Sequence, residues 1–578
     1  MTGPAAPKDP EKARPFFYIL KDKDIFGERQ KDGTGIQFIY ESDGRLINSA
    51  QITGNVTDKE ELTLLETVEG FGRLVHSIGV SVETDRPEET AEFVFQMYGK
   101  KDLYGGGTNL TTSLKCDGME HRIYLSDYRW TEDDHVPGQI KILFAAPERM
   151  GKVSVRLFLN DGYEAPPEEE DLFIDMHSEE YCGMISRSLL QLGNPYRIRK
   201  AIEKSKAGKE VTLAYIGGSI TQGAGAIPIH TECYAYKSFQ LFQNRFSTQN
   251  NVRFIKAGVG GTPSELGMIR FDRDVLREGE RPDIVVIEFA VNDEGDETKG
   301  VCYESLVRKV LKLPWKPAVV LLFSVFANDW NLQERLRPVG DLYDLPMVSI
   351  LNAVTPQFSL KCGEGRILSK NQFFYDMFHP NNIGHTIMAD CLQYLFERCD
   401  AAEPARVGTF VEGMTEEQIL SEKLFGPAVI GADFERIFLL DKKNRYVGAK
   451  IRTGSFTSTD IELQSVEMDG SLTQTPEFPY NWMYDGSRPQ MPGFEMEITC
   501  KSLFLIFKDS GEMDVGKADV FVNDVYCMTA DPHKNNWLHC NAVLLFWETE
   551  SRSHKVRITV TEEDQNKKFT ILGFGYTI

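Results

Sequence analysis

VTLAYIGGSITQG, residues 211–223, is an apolar run that ends in two glycines and a serine. A run apolar on both faces belongs to a parallel strand covered on both sides, because a half-solvated strand would alternate. A strand that merely turned would end at Asn, Asp, Gly or Pro. Small residues on either side of Ser219 instead leave room for a hydroxyl held on a tight turn, with a substrate beside it. The same residues also suit a glycine turn with Ser219 capping the next helix. The neighbouring segments decide between these readings.

Outward from this stretch the pattern repeats. VRFIKAGV (252–259), DIVVIEFAV (283–291), AVVLLFSVF (318–326) and LPMVSI (345–350) are further near-continuous apolar runs. Helical patterns separate them, among them YAYKSFQLFQNRF (234–246), YESLVRKVLKL (303–313) and NIGHTIMADCLQYLFERC (382–399). Strand–helix alternation of this kind predicts a doubly wound parallel α/β sheet over residues 205–402.

On either side the rhythm changes to short alternating runs broken by Gly- and Asp-containing turns. AEFVFQMYG (91–99) and KVSVRLFLND (152–161) are examples before the centre, and ADVFVNDVYCM (518–528) and KFTILGFGYTI (568–578) after it. Alternation predicts antiparallel sheets half-buried in a sandwich. The expected layout is a tail and lead-in over 1–30, a β-sandwich over 31–170, and a linker with a helical approach over 171–204. The α/β domain follows over 205–402, and a β-sandwich or jelly roll over 403–578.

Composition narrows the function class. The chain has 578 residues, 41 % hydrophobic and 26 % charged, which suits several ordinary cores. With 64 Lys+Arg against 86 Asp+Glu the net charge is −22, and no basic stripe is available to displace counterions from a nucleic acid. No apolar stretch is long enough to span a bilayer, so no membrane partner is expected. The ten cysteines are scattered without a C-x-x-C, and the N-terminal residues lack the apolar segment of a secretory signal. Reduced thiols in a cytoplasm are the resulting expectation.

In an open α/β sheet, ligands bind at the carboxyl ends of the strands. The first strand ends in Gly217-Gly218-Ser219 and the second in AGVGGTP, with Gly258, Gly260 and Gly261. The third ends in AVNDEGD, with Asn292, and DMFHP before the last helix places Asp376 three residues ahead of His379. Four segments far apart in sequence thus bring a hydroxyl, backbone donors, an amide and an Asp–His pair to one rim. A serine hydroxyl is a poor nucleophile until a base takes its proton. His379 can do so from one ring nitrogen while Asp376 holds the other. The oxyanion of an attacked acyl carbonyl would meet the N–H groups of Ser219 and Gly261 and the Asn292 amide.

GGSIT, AGVGGT, AVND and DMFHP resemble, in order and spacing, the blocks of the SGNH hydrolases, also called the GDSL esterase/lipase superfamily. The resemblance covers about Val211 to Cys399. It implies a five-stranded, flavodoxin-like parallel sheet, with Ser219 as nucleophile, Gly261 and Asn292 as oxyanion donors, and Asp376 and His379 completing the triad. Gly-Gly-Ser stands here where the family name reads Gly-Asp-Ser, and that aspartate is not a triad member. The superfamily's chemistry needs no metal or other cofactor, and no H-E-x-x-H or Cys/His cluster suggests one. His230 is read as a loop residue near substrate, His385 as packing, Arg270 and Asp272 as an ion pair bracing their helix, and Asp293 and Asp296 as shaping the Asn292 turn.

For the substrate, Asn328 and Trp330 after the fourth strand, and Trp482 and Tyr484 in EFPYNWMYDGSRP, offer aromatic faces with polar neighbours, which suit sugar rings; such rings also pack interfaces. SLKCDGMEHRIYLSDYRW resembles the strands of carbohydrate-binding jelly rolls, and the C-terminal part resembles the galactose-binding-like sandwiches often joined to SGNH domains. The implied activity is removal of O-acetyl groups from an acetylated oligosaccharide or polysaccharide. A lipase, arylesterase or thioesterase would share the triad, a sugar O-acyltransferase the acyl-enzyme, and a carbohydrate-binding protein only the architecture.

Overall fold

The structure is a computed structural model and describes residues 12–40, 45–54, 56, 58–101, 105–168, 170–277, 279–402, 416–467 and 474–578. The central sheet runs, edge to edge, Leu189–Gln191, Met347–Ser349, Ala318–Phe323, Ile284–Glu288, Val211–Gly217, Val252–Gly258. All neighbours are parallel except the short Leu189–Gln191 edge, which pairs antiparallel with Met347–Ser349. The sixth strand was not foreseen, since LLQ is too short to carry a pattern. Val211–Gly217 lies between Val252–Gly258 and Ile284–Glu288, so the chain leaves it first to one side and then to the other. Ser219 therefore sits where the strand order reverses, the place where open α/β sheets bind ligands.

Alternate residues of each strand feed two separate cores, which is why the strands read as unbroken apolar runs. Leu213, Tyr215, Val286, Val320 and Leu322 pack under the helices Tyr196–Lys206, Tyr234–Phe246 and Asn382–Asp400. Ala214, Ile216, Val285, Ile287 and Leu321 pack under Ser264–Phe271, Val301–Leu311 and Gln333–Tyr343. This second core continues into the C-terminal region through Phe434, Phe504, Ile506, Cys540 and Leu572, all buried. The C-terminal domain is thus welded onto one helical layer of the central domain.

The N-terminal region forms a four-stranded and a five-stranded antiparallel sheet around one apolar cluster. Phe16–Phe26 pairs with Met150–Leu159 inside the first of these. The expected lead-in over 1–30 is corrected accordingly: from Phe16 it is an integral strand, while residues 1–11 lie outside those described. The alternation in FFYILKDKDIF is blurred by two register shifts, which hid it. The helices Arg45–Thr53, Lys59–Thr63 and Val68–Leu74 were also missed among the strand-like runs.

The expected C-terminal sandwich is one continuous eight-stranded hydrogen-bonded network. Its frame is Phe494–Asp509 paired with His539–Val560, strands of 16 and 22 residues that slip register between Cys500 and Ser502. Register shifts of this kind keep long strands paired while bending and twisting them locally. A buried cluster that includes Phe494, Leu505, Ile571 and Phe574 forms the core of the domain. The expected start of this domain, residues 403–415, lies outside those described.

Candidate active site

Gly217 and Gly218 are explained by what crowds them. A Cβ on Gly217 would lie 2.2 Å from Thr221 Oγ1 and 2.5 Å from the Glu288 carbonyl oxygen. On Gly218 it would lie 2.3–2.5 Å from the side-chain atoms of Asn292. Bare backbone at 218 is what lets the amide from the third strand reach the serine turn. Ser219 then opens the one-turn helix Ser219–Gln222, which stops at Gly223 with φ 110°. From below, the buried Arg270 donates to the carbonyls of Gly217 (2.8 Å) and Ala257 (2.7 Å), tying two strand ends together.

At this rim Ser219 Oγ lies 2.9 Å from His379 Nε2. His379 Nδ1 lies 2.9 and 3.0 Å from the two Asp376 carboxylate oxygens. The carboxylate also accepts the backbone N–H groups of Phe378 and His379, each at 2.8 Å, which closes the D-x-x-H turn and aims the ring. With Nδ1–H donating to Asp376, Nε2 is left to accept from the serine hydroxyl. Ser219, His379 and Asp376 are therefore in line, each partly open to solvent. Among the described residues neither the Ser219 nor the Gly261 N–H has a protein acceptor. Gly261 adopts φ +69°, which turns the chain at the second strand end.

The loops carrying the triad are zipped to each other. Asn382 exchanges hydrogen bonds with the Ile227 N–H (2.7 Å) and carbonyl (2.8 Å). His385, fully buried, accepts the Tyr234 N–H at Nδ1 (3.1 Å) and meets the Ala224 carbonyl at Nε2 (3.1 Å). These two bonds require the neutral Nε2–H tautomer, and burial pushes the His385 pKa down to about 3. Beneath the serine turn, Thr221 Oγ1 bonds Glu288 Oε2 (3.1 Å) and the Tyr234 hydroxyl (2.8 Å). Burial pushes the Glu288 carboxyl up to about 7. Asp293 accepts the Ser264 N–H (2.7 Å), and Asp296 accepts from Arg335 (2.9 Å), so both shape the Asn292 turn.

The substrate candidates divide. Trp330 is half-buried, stacked on Phe326 at 5.7 Å, and Phe326 in turn meets Phe378 edge-on at 5.1 Å, beside His379. Asn328 is exposed on the same loop. Trp482 and Tyr484, by contrast, are only 4 % and 3 % exposed. Trp482 packs between Phe494 and Phe574 in the C-terminal core, so these two are corrected from ligand contacts to core residues. The aromatic at the rim is Trp537, 43 % exposed, whose ring would lie 2.9 Å from a Cβ on Gly261. Sequence reading missed it because DPHKNNWLHC looks like an ordinary polar turn. The expected Arg270–Asp272 pair is also corrected. Arg270 pairs with Asp274 (3.0 Å) and Asp272 with Lys309 (2.8 Å), since side chains two apart on a helix diverge while those four apart meet.

Beside the triad a cleft of about 550 Å³ opens between the domains. Gln222, Gly225, His230 and Tyr375 line it from the central domain, Phe26, Arg29 and Phe38 from the N-terminal domain, and Ser465 from the C-terminal domain. Among the described residues no group of three or more His, Cys, Asp or Glu is placed to hold a metal ion. No helix among them is long and apolar enough to cross a membrane.

Residues 215–387 match the model of the GDSL-like lipase/acylhydrolase family. A solved two-domain esterase (CEX) active on acetylated mannans is similar over 68 % of this chain and 98 % of its own, with 23 % identity and a TM-score of 0.54. The same esterase co-crystallised with mannopentaose aligns at 24 % identity and a TM-score of 0.53, over the same shares. At that identity the likeness speaks for the fold. No curated protein matches the chain.

Proposed function

We propose that this chain, a serine ester hydrolase whose central domain is of the GDSL-like lipase/acylhydrolase family, removes acetyl groups from an acetylated oligosaccharide or polysaccharide. The observation that carries the chemistry is the unbroken line Ser219 Oγ–His379 Nε2, His379 Nδ1–Asp376, at 2.9 Å each. His379 takes the Ser219 proton as Oγ attacks the acetyl carbonyl, and Asp376 stabilises the imidazolium that forms. The carbonyl oxygen becomes an oxyanion, for which the N–H groups of Ser219 and Gly261 and the Asn292 amide are the donors. Each such donor is worth about 3 kcal/mol of barrier. Collapse expels the sugar oxygen, which takes the proton from His379 and leaves acetyl-Ser219. Water, deprotonated by the same imidazole, then releases acetate and restores the serine.

Support for a sugar ester is the character of the surroundings. The cleft beside the serine is formed by three domains, and its lining mixes polar side chains such as Arg29, Gln37 and Gln222 with the apolar Phe26, Phe38 and Ile227, a combination that suits a sugar's hydroxyl rim and C–H face. An exposed indole, Trp537, stands at the rim as a flat surface on which the C–H face of a sugar ring can rest. The activity of the similar esterase on acetylated mannans makes acetylated manno-oligosaccharides the first substrates to try. The test is acetate release from acetylated manno-, xylo- and bacterial oligosaccharides by wild type and Ser219→Ala. Release that vanishes with the serine supports the reading. Hydrolysis of small acetate esters alone would remove the sugar, and release undiminished in Ser219→Ala would remove the serine.

A further inference from the structure

We propose that the C-terminal domain builds part of the oxyanion hole, with Gln464 and His539 as positioning residues for the Gly261 N–H. The inference rests on the ester-hydrolase reading above, in which that N–H receives the oxyanion. A peptide unit is planar and trans, so the Gly260 carbonyl and the Gly261 N–H are one rigid group pointing in opposite directions. Gln464 Nε2 donates to the Gly260 carbonyl at 3.0 Å. The amide cannot turn over, because its Oε1 accepts the Cys540 N–H at 3.0 Å. Both contacts are buried.

The next peptide is held in the same way. His539 Nε2 lies 3.1 Å from the Gly261 carbonyl, so that nitrogen carries the hydrogen. Its Nδ1 faces the Asn535 side-chain amide at 3.1 Å, and Asn535 also donates to the buried Asp509. A glycine turn at φ +69° has no side chain of its own to fix it. Two donors from a domain 200 residues downstream supply that restraint, one on each flanking carbonyl. Donation to the Gly260 carbonyl also polarises its peptide and strengthens the Gly261 N–H as a donor. Preorganised donors act on the transition state, where the charge develops, more than on bound substrate.

The experiment uses the full chain, with 4-nitrophenyl acetate as the probe and the thermal midpoint as the check on folding. In Gln464→Met the side chain keeps its length but donates nothing, and in His539→Phe the ring keeps its shape but donates nothing. For each we expect kcat to fall about ten- to a hundredfold with KM within about twofold, less than loss of a whole donor. Folded variants that keep wild-type kcat, or that lose activity only through KM, overturn the inference; if one variant does not fold, the other decides. Ser219→Ala is assayed alongside. Activity retained without the serine overturns the site reading itself, whereas activity lost with the serine but kept in the folded brace variants overturns only the brace.

Discussion

His385 offers a perturbation whose size and sign follow from its surroundings. In the folded chain it is neutral, with both ring nitrogens engaged and its pKa pushed down to about 3 by burial, helped by the nearby charges of Lys237 and Lys256. Protonation would put an Nδ1–H against the Tyr234 N–H. In the unfolded or locally opened chain a histidine binds its proton near pH 6.5. The opened state therefore takes up a proton first as pH falls, and stability that is fully present above pH 6.5 is lost progressively down to about pH 3. At about 1.4 kcal/mol per pH unit, the 1.5 units between 6.5 and 5.0 amount to about 2 kcal/mol, or roughly thirtyfold in opening. Glu288, Glu265 and Asp293, whose carboxyls burial pushes up to about 7, 7 and 8, act in the opposite sense, losing their contribution as pH rises through those values. They are common to wild type and His385→Gln and cancel in the comparison. The assay is hydrogen exchange of peptides spanning 223–235 at pH 7.5 and 5.0, corrected for intrinsic rates. Wild type should open about thirtyfold more at pH 5.0, relative to His385→Gln. The same pH dependence in both proteins would refute the assignment.

Asp376→Asn should keep the fold and lower kcat on small acetate esters by about 10⁴-fold, because the amide favours the wrong histidine tautomer; steady-state kinetics with a thermal midpoint check this. Trp537→Ala should raise KM for acetylated oligosaccharides more than for 4-nitrophenyl acetate, whereas Trp482→Ala should cost about 3–5 kcal/mol of stability in the C-terminal domain. Kinetics on both substrates and calorimetry separate the two tryptophans. Gly225→Ala should yield little active protein, since its φ is +87° and a Cβ would lie 2.1 Å from the Pro380 carbonyl oxygen; soluble yield and activity test it.

What was legible in the sequence is what local spacing can carry. Unbroken apolar runs reported strands covered on both sides, and the residues just beyond them reported the rim, so Ser219, Asn292, Asp376 and His379 could be placed together before any coordinates. Contacts that depend on distant segments left no local trace. Gln464 and His539 reach Gly260 and Gly261 across 204 and 278 residues, and nothing in LQS or WLHC announces it. Trp482 and Trp537 look alike as aromatic residues among polar neighbours. One lies on the strand Trp482–Tyr484 and faces Phe494 and Phe574, and the other lies in the bend before His539 and faces the rim, a difference that only the folded domain sets.

The placement of Phe569–Thr577 bears on how the protein is made. This strand pairs with Phe494–Asp509 on one side and with Phe438–Leu440 and Trp482–Tyr484 on the other. A ribosome delivers it about 190 residues after His379, long after the triad segments have emerged. Until it docks, the sheet whose strand His539–Val560 brings His539 to the catalytic rim lacks the strand that joins Phe438–Leu440 and Trp482–Tyr484 to Phe494–Asp509. A nascent chain would therefore hold an assembled serine, histidine and aspartate in a folded α/β unit while the peptide at Gly261 was still unclamped. On the brace proposed above, turnover would rise about ten- to a hundredfold as this strand is threaded into place, which timed arrest of translation could measure.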